Sequence, residues 1–163
     1  MSIMTLYTRV LDHLARLSRV LESPFALVLR TFVGWQFIKS GWLKFTSWDN
    51  TLYLFTEEYH VPLLPPELAA VAGTGGELIF GALVALGLAG RLSALGLSLV
   101  NIMAVVSYAH VLLAPGYEAA LGMHELWGLM LAVIVIYGPG GLSLDRAIVH
   151  GVTTARPLSA RLA

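Results

Sequence analysis

The sequence contains no cysteine and very little charge. Without cysteine, this chain cannot form disulfides, use thiolate catalysis, hold an iron–sulfur cluster or attach haem covalently. Only 12% of the 163 residues are charged, whereas an ordinary soluble domain carries about 25%. The net charge is zero, which argues against a nucleic-acid partner, because nucleic-acid binding needs a basic face. Any redox role therefore requires a bound, exchangeable group or a partner subunit.

Apolar residues take the place of the missing charge: they make up 57% of the chain, and its mean hydropathy is +0.76. Four stretches reach the roughly 20 mostly apolar residues that a transmembrane helix needs. These stretches cover residues 24–43, 68–88, 92–113 and 119–137. We therefore expect an all-α integral membrane protein, a left-handed four-helix transmembrane bundle in up-down order. The loop over 46–67, rich in aromatic and acidic residues, is expected to cap the bundle mouth.

The first 23 residues predict an N-terminal amphipathic helix that lies in the membrane interface. Arginines are scattered among apolar residues that recur at helical spacing, whereas a cleaved signal peptide has an unbroken apolar run. A soluble helix that docks on a partner is the alternative. The predicted organisation is an interfacial helix over 1–23, a transmembrane domain over 24–145 and a cytoplasmic tail over 146–163.

Basic residues outside the spans are distributed very unevenly. An even number of spans puts both termini on one side of the membrane, and that side has seven basic residues: Arg9, Arg16, Arg19, Arg91, Arg146, Arg156 and Arg161. The other side has only Lys44, together with Asp49, Glu57, Glu58, Glu67 and Glu118. Because basic loops stay in the cytoplasm, both termini are predicted there, in a bacterial or archaeal cytoplasmic membrane.

Four ionisable residues lie inside the predicted spans: Arg30, Lys39, Glu77 and Glu125. Charge that faces lipid is costly, so we expect these side chains to turn inward and pair. The helical rise puts Lys39 at ~22 Å, Glu77 at ~18 Å and Glu125 at ~20 Å from the cytoplasmic boundary, so the three are expected to meet. Arg30, at ~9 Å, must stretch upward or bind carbonyls and headgroups. Glu77 and Lys39 are the candidate catalytic pair for proton handling, and a structural ion pair is the alternative.

Small residues accompany Glu77 along its helix at every fourth position, namely Ala69, Gly73, Gly81 and Ala85. Such a stripe lets helix backbones approach closely in membranes, so Glu77 is expected to face another helix at short range.

Histidine and tryptophan residues concentrate toward the outer side. His60, His110 and His124 could suit a metal or haem, but no tight metal motif is present, and no metal site is assigned. His110 lies opposite Asn101 on their predicted helix, so the two cannot both face one core. Most of the aromatic residues are expected to form an interfacial belt. A subset could instead line a slot for a flat ring such as a quinone.

The sequence resembles the DoxX family of small four-span membrane proteins. The resemblance rests on about 115 residues, including Arg30 with Gly34, Gly41-Trp42-Leu43-Lys44, Val61-Pro62-Leu63-Leu64-Pro65-Pro66, Glu77, Arg91, His124 with Trp127, and Leu142-Ser143-Leu144-Asp145. The resemblance implies a subunit of a membrane oxidoreductase complex, because the founding members of the family belong to a thiosulfate:quinone oxidoreductase. Other members of the family are associated with stress responses. Without cysteine, thiosulfate chemistry is not expected of this chain itself.

The leading hypothesis is a quinone-interacting subunit that accepts electrons from a partner protein. In it, Trp42 and Trp127 wall the quinone ring, and His124 or Glu125 binds a quinone carbonyl. The expected structural set of buried charged or polar residues is Arg30, Lys44, Arg91 and Asn101. The alternatives are a non-enzymatic anchor or assembly subunit, and an oligomeric transporter of a metal ion or sulfur species. Transport of a metal ion would require His60, His110 and His124 to come close enough to bind the same ion.

Overall fold

A computed structural model describes residues 2–154, and its only regular secondary structure in that range is helical, with no strand. Its seven helices are α1 (Ile3–Thr46), α2 (Trp48–Glu57), α3 (Pro66–Leu86), α4 (Gly90–Ser107), α5 (Ala109–Leu112), α6 (Glu118–Tyr137) and α7 (Leu144–Thr154). Arg156, Arg161 and the rest of the predicted tail beyond 154 lie outside the described residues.

Within residues 2–154, three helices are long and apolar enough to cross a membrane: α3, α4 and α6, with 21, 18 and 20 residues. The protein is therefore a multi-pass membrane protein. These helices correspond to the predicted spans 68–88, 92–113 and 119–137. The second of these spans is shorter than predicted because the helix stops at Ser107 and α5 begins only at Ala109.

The N-terminal part differs from the prediction. The expected break between an interfacial helix over 1–23 and a span over 24–43 is wrong, because α1 is one continuous helix of 44 residues with Pro24 inside it. Proline removes one backbone hydrogen bond and kinks a helix, but a long helix can continue beyond it. From Leu29 onward α1 has a buried face, whereas residues 2–22 are exposed on all sides.

The apolar core lies where α1, α3, α4 and α6 meet, and it consists of Leu29, Val33, Phe37, Val84, Ala94, Leu97, Leu131 and Ile134. Helix α1 packs most extensively on α3. Gly34 and Gly81 face each other at this contact, and a Cβ on Gly34 would lie 2.6 Å from the carbonyl oxygen of Gly81. The two backbones approach this closely because neither residue carries a side chain.

The α3–α4 turn and the start of α7 hold one end of the bundle together. Gly87 ends α3 with φ of +69°, in the left-handed region that glycine adopts without strain. The carboxylate of Asp145 accepts hydrogen bonds from the backbone N–H groups of Ala89 and Gly90, both at 2.8 Å, at the start of α4. This carboxylate satisfies two N–H groups that the helix leaves unpaired.

Replacing Gly34 with alanine should destabilise the protein, because the new Cβ would collide with backbone of α3. Forced overpacking of this kind costs about 1–3 kcal/mol. Gly75 is the matched control, since a Cβ there has no atom within 4 Å. Thermal unfolding of the detergent-purified variants should show a lower melting temperature for Gly34→Ala and an equal or higher one for Gly75→Ala. Equal melting temperatures for the two variants would contradict the proposed close approach.

Candidate functional site

The buried charge of Glu77 on α3 is paired with Lys44 on α1. The Lys44 Nζ lies 2.5 Å from Glu77 Oε1. Ser40 lies one helical turn before Lys44, and its hydroxyl accepts from Lys44 Nζ at 3.0 Å and donates to Glu77 Oε1 at 3.2 Å. Gly41, between the two, leaves room for this approach, because a Cβ there would lie 3.0 Å from the Cβ of Glu77. The interaction thus depends on small residues at the α1–α3 contact.

The predicted meeting of Lys39, Glu77 and Glu125 is wrong. Lys39 precedes Lys44 by five residues, which is about 140° of net helix rotation, so it lies on the exposed side of α1. Glu125 is also exposed, on α6. The helical rise predicted the depths of these groups in the membrane but not the direction in which each side chain points.

Two other members of the expected structural set are fully buried, and one is not. Arg30 is 3% exposed, and its guanidinium donates to the carbonyl oxygens of Ala85 and Leu142. Binding to backbone carbonyls was one of the alternatives predicted for Arg30 from the sequence. Asn101 is also buried. Arg91 is exposed rather than buried and donates to the carbonyl oxygen of Ile136 at 3.3 Å.

A cavity of about 530 Å³ lies beside the ion pair. Its polar lining residues are Ser40, Lys44, Glu77, His124, Ser107, Tyr59 and Tyr108. The wall between α3 and α4 is apolar and consists largely of small or half-exposed residues, among them Ala72, Gly73, Gly76, Leu99 and Met103. Ala72 and Leu99 line the cavity and are also exposed, so the described residues cover this wall only partly.

One oxygen of Glu77 lacks a partner. Glu77 Oε2 is buried and has no hydrogen bond within the described residues, whereas Oε1 receives both Lys44 and Ser40. Buried polar atoms are nearly always hydrogen-bonded, and an unsatisfied one costs about 1–3 kcal/mol or more if charged. Glu77 therefore brings an unsatisfied acceptor to the edge of the cavity that it lines, although Oε2 itself is buried.

His124 adds a second polar group to the same cavity, and its contact with Asn101 determines which ring nitrogen carries the proton. The amide nitrogen of Asn101 donates to the backbone carbonyl of His124 at 3.0 Å, so its oxygen must face the ring. The Nδ1 of His124 lies 2.8 Å from that oxygen and therefore carries the proton. In the neutral ring, Nε2 is then an acceptor.

Aromatic side chains cover the cavity from the outer end. Tyr59 packs edge to face against Phe55 and Tyr108, with ring centroids 5.0 and 5.1 Å apart. The N–H of His60 donates to the carbonyl of Ser107 at 2.8 Å and ties the loop to α4. Burial raises the pKa of Tyr59, and the neighbouring Tyr108, Glu77 and Glu58 raise it further. Its phenol therefore stays protonated and available as a hydrogen-bond donor.

The other proposed quinone contacts do not line this cavity. Trp42 is 60% exposed and contacts Phe45 on the outer side of α1, and Glu125 is exposed on α6. Trp127 packs between Phe37 and His124, with ring centroids 5.5 and 5.0 Å away, and its buried indole N–H has no partner. Of the four predicted contacts, His124 alone belongs to the cavity lining.

The three histidines do not converge, so the metal-transport prediction is wrong. His60 and His110 stack with ring centroids 4.5 Å apart, while His124 bonds to Asn101. Among the described residues there is no group of three His, Asp or Glu side chains that could hold a metal ion.

Sequence reasoning missed Ser40, Tyr59 and Tyr108 as members of the site. Ser40 and Lys44 are four residues apart and thus share one helix face with Gly41, a signal that could have indicated Lys44 rather than Lys39 as the partner of Glu77. No periodicity in the sequence brings the loop residue Tyr59 next to Tyr108.

Comparison with known proteins gives a family but no activity. The DoxX family model matches residues 25–110. A protein of Haemophilus influenzae that carries the name "Uncharacterized protein" is 30% identical over 127 residues, which cover 75% of this chain and 82% of the relative. No solved structure matches the chain.

Replacing Lys44 with methionine should strongly destabilise the protein, because the carboxylate of Glu77 would remain buried without its cation. Removing one partner of a buried ion pair costs about 3–5 kcal/mol. Lys39→Met is the matched control on the same helix and should leave the melting temperature in detergent almost unchanged. Adding Glu77→Gln to Lys44→Met should restore much of the lost stability. A larger loss from Lys39→Met than from Lys44→Met would refute this pairing.

Proposed function

The chain belongs to the DoxX family of membrane proteins, and we propose that it is a quinone-interacting subunit of a membrane redox complex. The observation that carries this proposal is that Glu77, whose buried Oε2 has no hydrogen-bond partner among the described residues, is one of the residues that line a mostly apolar cavity. A quinol offers the hydroxyl donor that this oxygen lacks and the flat apolar ring that the walls accept. The volume of about 530 Å³ falls within the ~300–1,000 Å³ typical of small-molecule sites.

The chemistry in this proposal is reduction of a quinone to a quinol, in which two electrons come from the partner subunit and two protons come from water and bind to the two quinone oxygens. The partner subunit supplies the electrons from its own reduced cofactor, because this chain has no cysteine with which to hold an iron–sulfur cluster. Lys44 holds Oε1 of Glu77 and leaves Oε2 to accept from one quinol hydroxyl. His124 Nε2 is the second acceptor, and the Tyr59 phenol is a donor to a quinone carbonyl.

Access in this proposal is lateral. The wall between α3 and α4 is half-exposed and apolar, and the space beside Gly76 and Gly96 is filled by the side chains of Val100 and Phe80, which would have to move to open a gap. A quinone tail extends through this gap into the lipid while the ring lies beside Glu77. A lipid-soluble substrate then needs no aqueous entrance.

The membrane arrangement that fits this site uses the part of α1 beyond Pro24 as a fourth span. This part packs on α3 and α6, and its two inward charges, Arg30 and Lys44, are paired with protein groups. Lys39 lies seven residues before the end of α1, from where its long side chain reaches toward the interface. Both termini then lie in the cytoplasm of a bacterial cell, in agreement with the arginines near the α3–α4 turn and α7.

A non-enzymatic anchor is the second candidate, and the exposed charges favour it. Lys39 and Glu125 lie on outer faces of α1 and α6, where contact with lipid is costly. Opposite charges on a partner subunit would pair with them. Contact with a partner subunit is expected both for a quinone-interacting subunit and for an anchor, so only the presence of a ligand in the cavity distinguishes the two.

Purified protein should carry a quinone at a nearly stoichiometric level, measured by solvent extraction and mass spectrometry. Gly73→Leu should reduce the bound quinone severalfold, because the new side chain fills the cavity. Gly75→Leu is the matched control, two residues along the same helix and outside the cavity lining, and should retain the quinone.

An unrelated membrane protein from the same cells gives the background level. Quinone at background level in the unaltered protein, or equal loss in both glycine variants, would count against the quinone site and in favour of the anchor.

A further inference from the structure

A second cavity, of about 420 Å³, lies beside the α3–α4 turn, and within residues 2–154 it shares no lining residue with the first. This turn cavity is lined by the first residues of α4 and α7 and by Pro139 and Ser143 between α6 and α7. Three membrane-crossing helices have one end here, because α3 ends at Leu86, α4 begins at Gly90 and α6 ends at Tyr137. The turn cavity therefore lies at the level where phospholipid headgroups meet the protein.

Two arginines give the turn cavity an excess of positive charge. Arg91 comes from α4 and Arg146 from α7, and neither forms an ion pair with a carboxylate among the described residues. Asp145 is the acidic residue of the lining, but its two oxygens already accept from the backbone N–H groups of Ala89 and Gly90. Both guanidinium groups thus have donors left for an anion, and their planar N–H groups match the oxygens of a phosphate.

The backbones that carry the two arginines are held in place by the protein itself. Pro139 packs directly on the start of α4, since a Cβ on Gly90 would lie 2.5 Å from the Pro139 Cγ. The Ser143 hydroxyl donates to the carbonyl of Gly140 at 2.8 Å and accepts from the N–H of Arg146 at 3.4 Å. A site that is formed before its ligand arrives binds with a smaller loss of entropy.

The rim of the turn cavity is apolar. Leu92 and Val149 line it and are 72% and 58% exposed. Leu92 lies in the first turn of α4, where this helix enters the membrane. A ligand with an anionic group and adjoining apolar chains covers the arginines and this rim together, whereas a soluble anion leaves the rim uncovered.

We propose that the turn cavity binds the headgroup of an anionic phospholipid, with the phosphate on Arg91 and Arg146 and an acyl chain beside Leu92. Basic pockets at the ends of transmembrane helices recognise anionic headgroups in this way. A zwitterionic lipid has the same phosphate, but the two arginines repel its ammonium group. The proposal requires only that α3, α4 and α6 cross the membrane, so it does not rest on the quinone site.

Native mass spectrometry of the full-length purified protein measures this binding directly, in titrations with phosphatidylglycerol and with phosphatidylcholine of the same acyl chains. We expect tighter binding of phosphatidylglycerol. Combining Arg91→Gln with Arg146→Gln should weaken that binding by about tenfold or more, because each arginine near an anionic surface accounts for roughly fivefold. Arg16→Gln with Arg19→Gln is the matched control, since it removes the same charge from exposed positions of α1 outside the turn cavity and should bind as the unaltered protein does.

A second pair of variants tests the turn cavity without removing an arginine. Val149→Glu places a carboxylate in the lining and should also abolish the preference for phosphatidylglycerol. Val152→Glu is its control on the same helix, outside the lining. The two valines are 58% and 61% exposed, so neither change should impair folding.

No preference for phosphatidylglycerol in the unaltered protein, or equal weakening in the variants and their controls, would overturn the proposal. Inorganic phosphate that raises the melting temperature as much as phosphatidylglycerol does would identify a soluble phosphate as the ligand and overturn the lipid assignment. None of these variants changes the lining of the cavity beside Glu77. The result is therefore independent of whether that cavity binds a quinone.

Discussion

A carboxylate buried among apolar helices is stable only when a cation reaches it, and here the cation comes from a neighbouring helix. Lys44 on α1 meets Glu77 on α3 because Gly34, Gly41 and Gly81 let the two backbones approach. The same contact positions the outer cap, since the hydroxyl of Thr51 on α2 donates to the carbonyl of Lys44 at 2.9 Å. The cavity and its aromatic cover therefore depend on one ion pair and on the absence of three side chains.

The two ends of the bundle use buried charge differently. At the α3–α4 turn, Arg30 and Asp145 bond to backbone groups, so their charges serve to hold helix ends in place, although the buried Nε of Arg30 has no partner among the described residues. At the other end, Glu77 is satisfied on one oxygen only and borders empty space. The difference between the two ends is therefore the cavity, which lies beside Glu77 and not beside Arg30.

The positions of three membrane-crossing helices could be predicted from the sequence, because long apolar runs between Pro and Gly residues mark them directly. The stripe of small residues also predicted that Glu77 faces a helix at short range. The partner of Glu77 was predicted wrongly from depth alone, since Lys44 lies about 7.5 Å farther along α1 than Lys39 and about 140° around it. The break at Pro24 was predicted because proline inside a helix usually ends or kinks it. In this long helix, however, α1 continues through Pro24 and packs against the bundle beyond it. The cavity depends on the loop residue Tyr59 meeting Tyr108, a contact between distant residues that no local pattern encodes.

The side on which the cavity opens determines which concentration matters for its occupancy. A pocket that faces water samples its ligand at the aqueous concentration, whereas the lateral access proposed for this cavity draws its ligand from the lipid beside α3 and α4. Apolar molecules accumulate in the bilayer because burial of each CH₂ group there is favourable by about 0.8 kcal/mol. Partitioning thus provides much of the selection before any contact with the protein forms. In the proposed function, the protein itself then has to distinguish only among molecules already dissolved in the membrane, and that task would fall to the polar groups around Glu77 and His124.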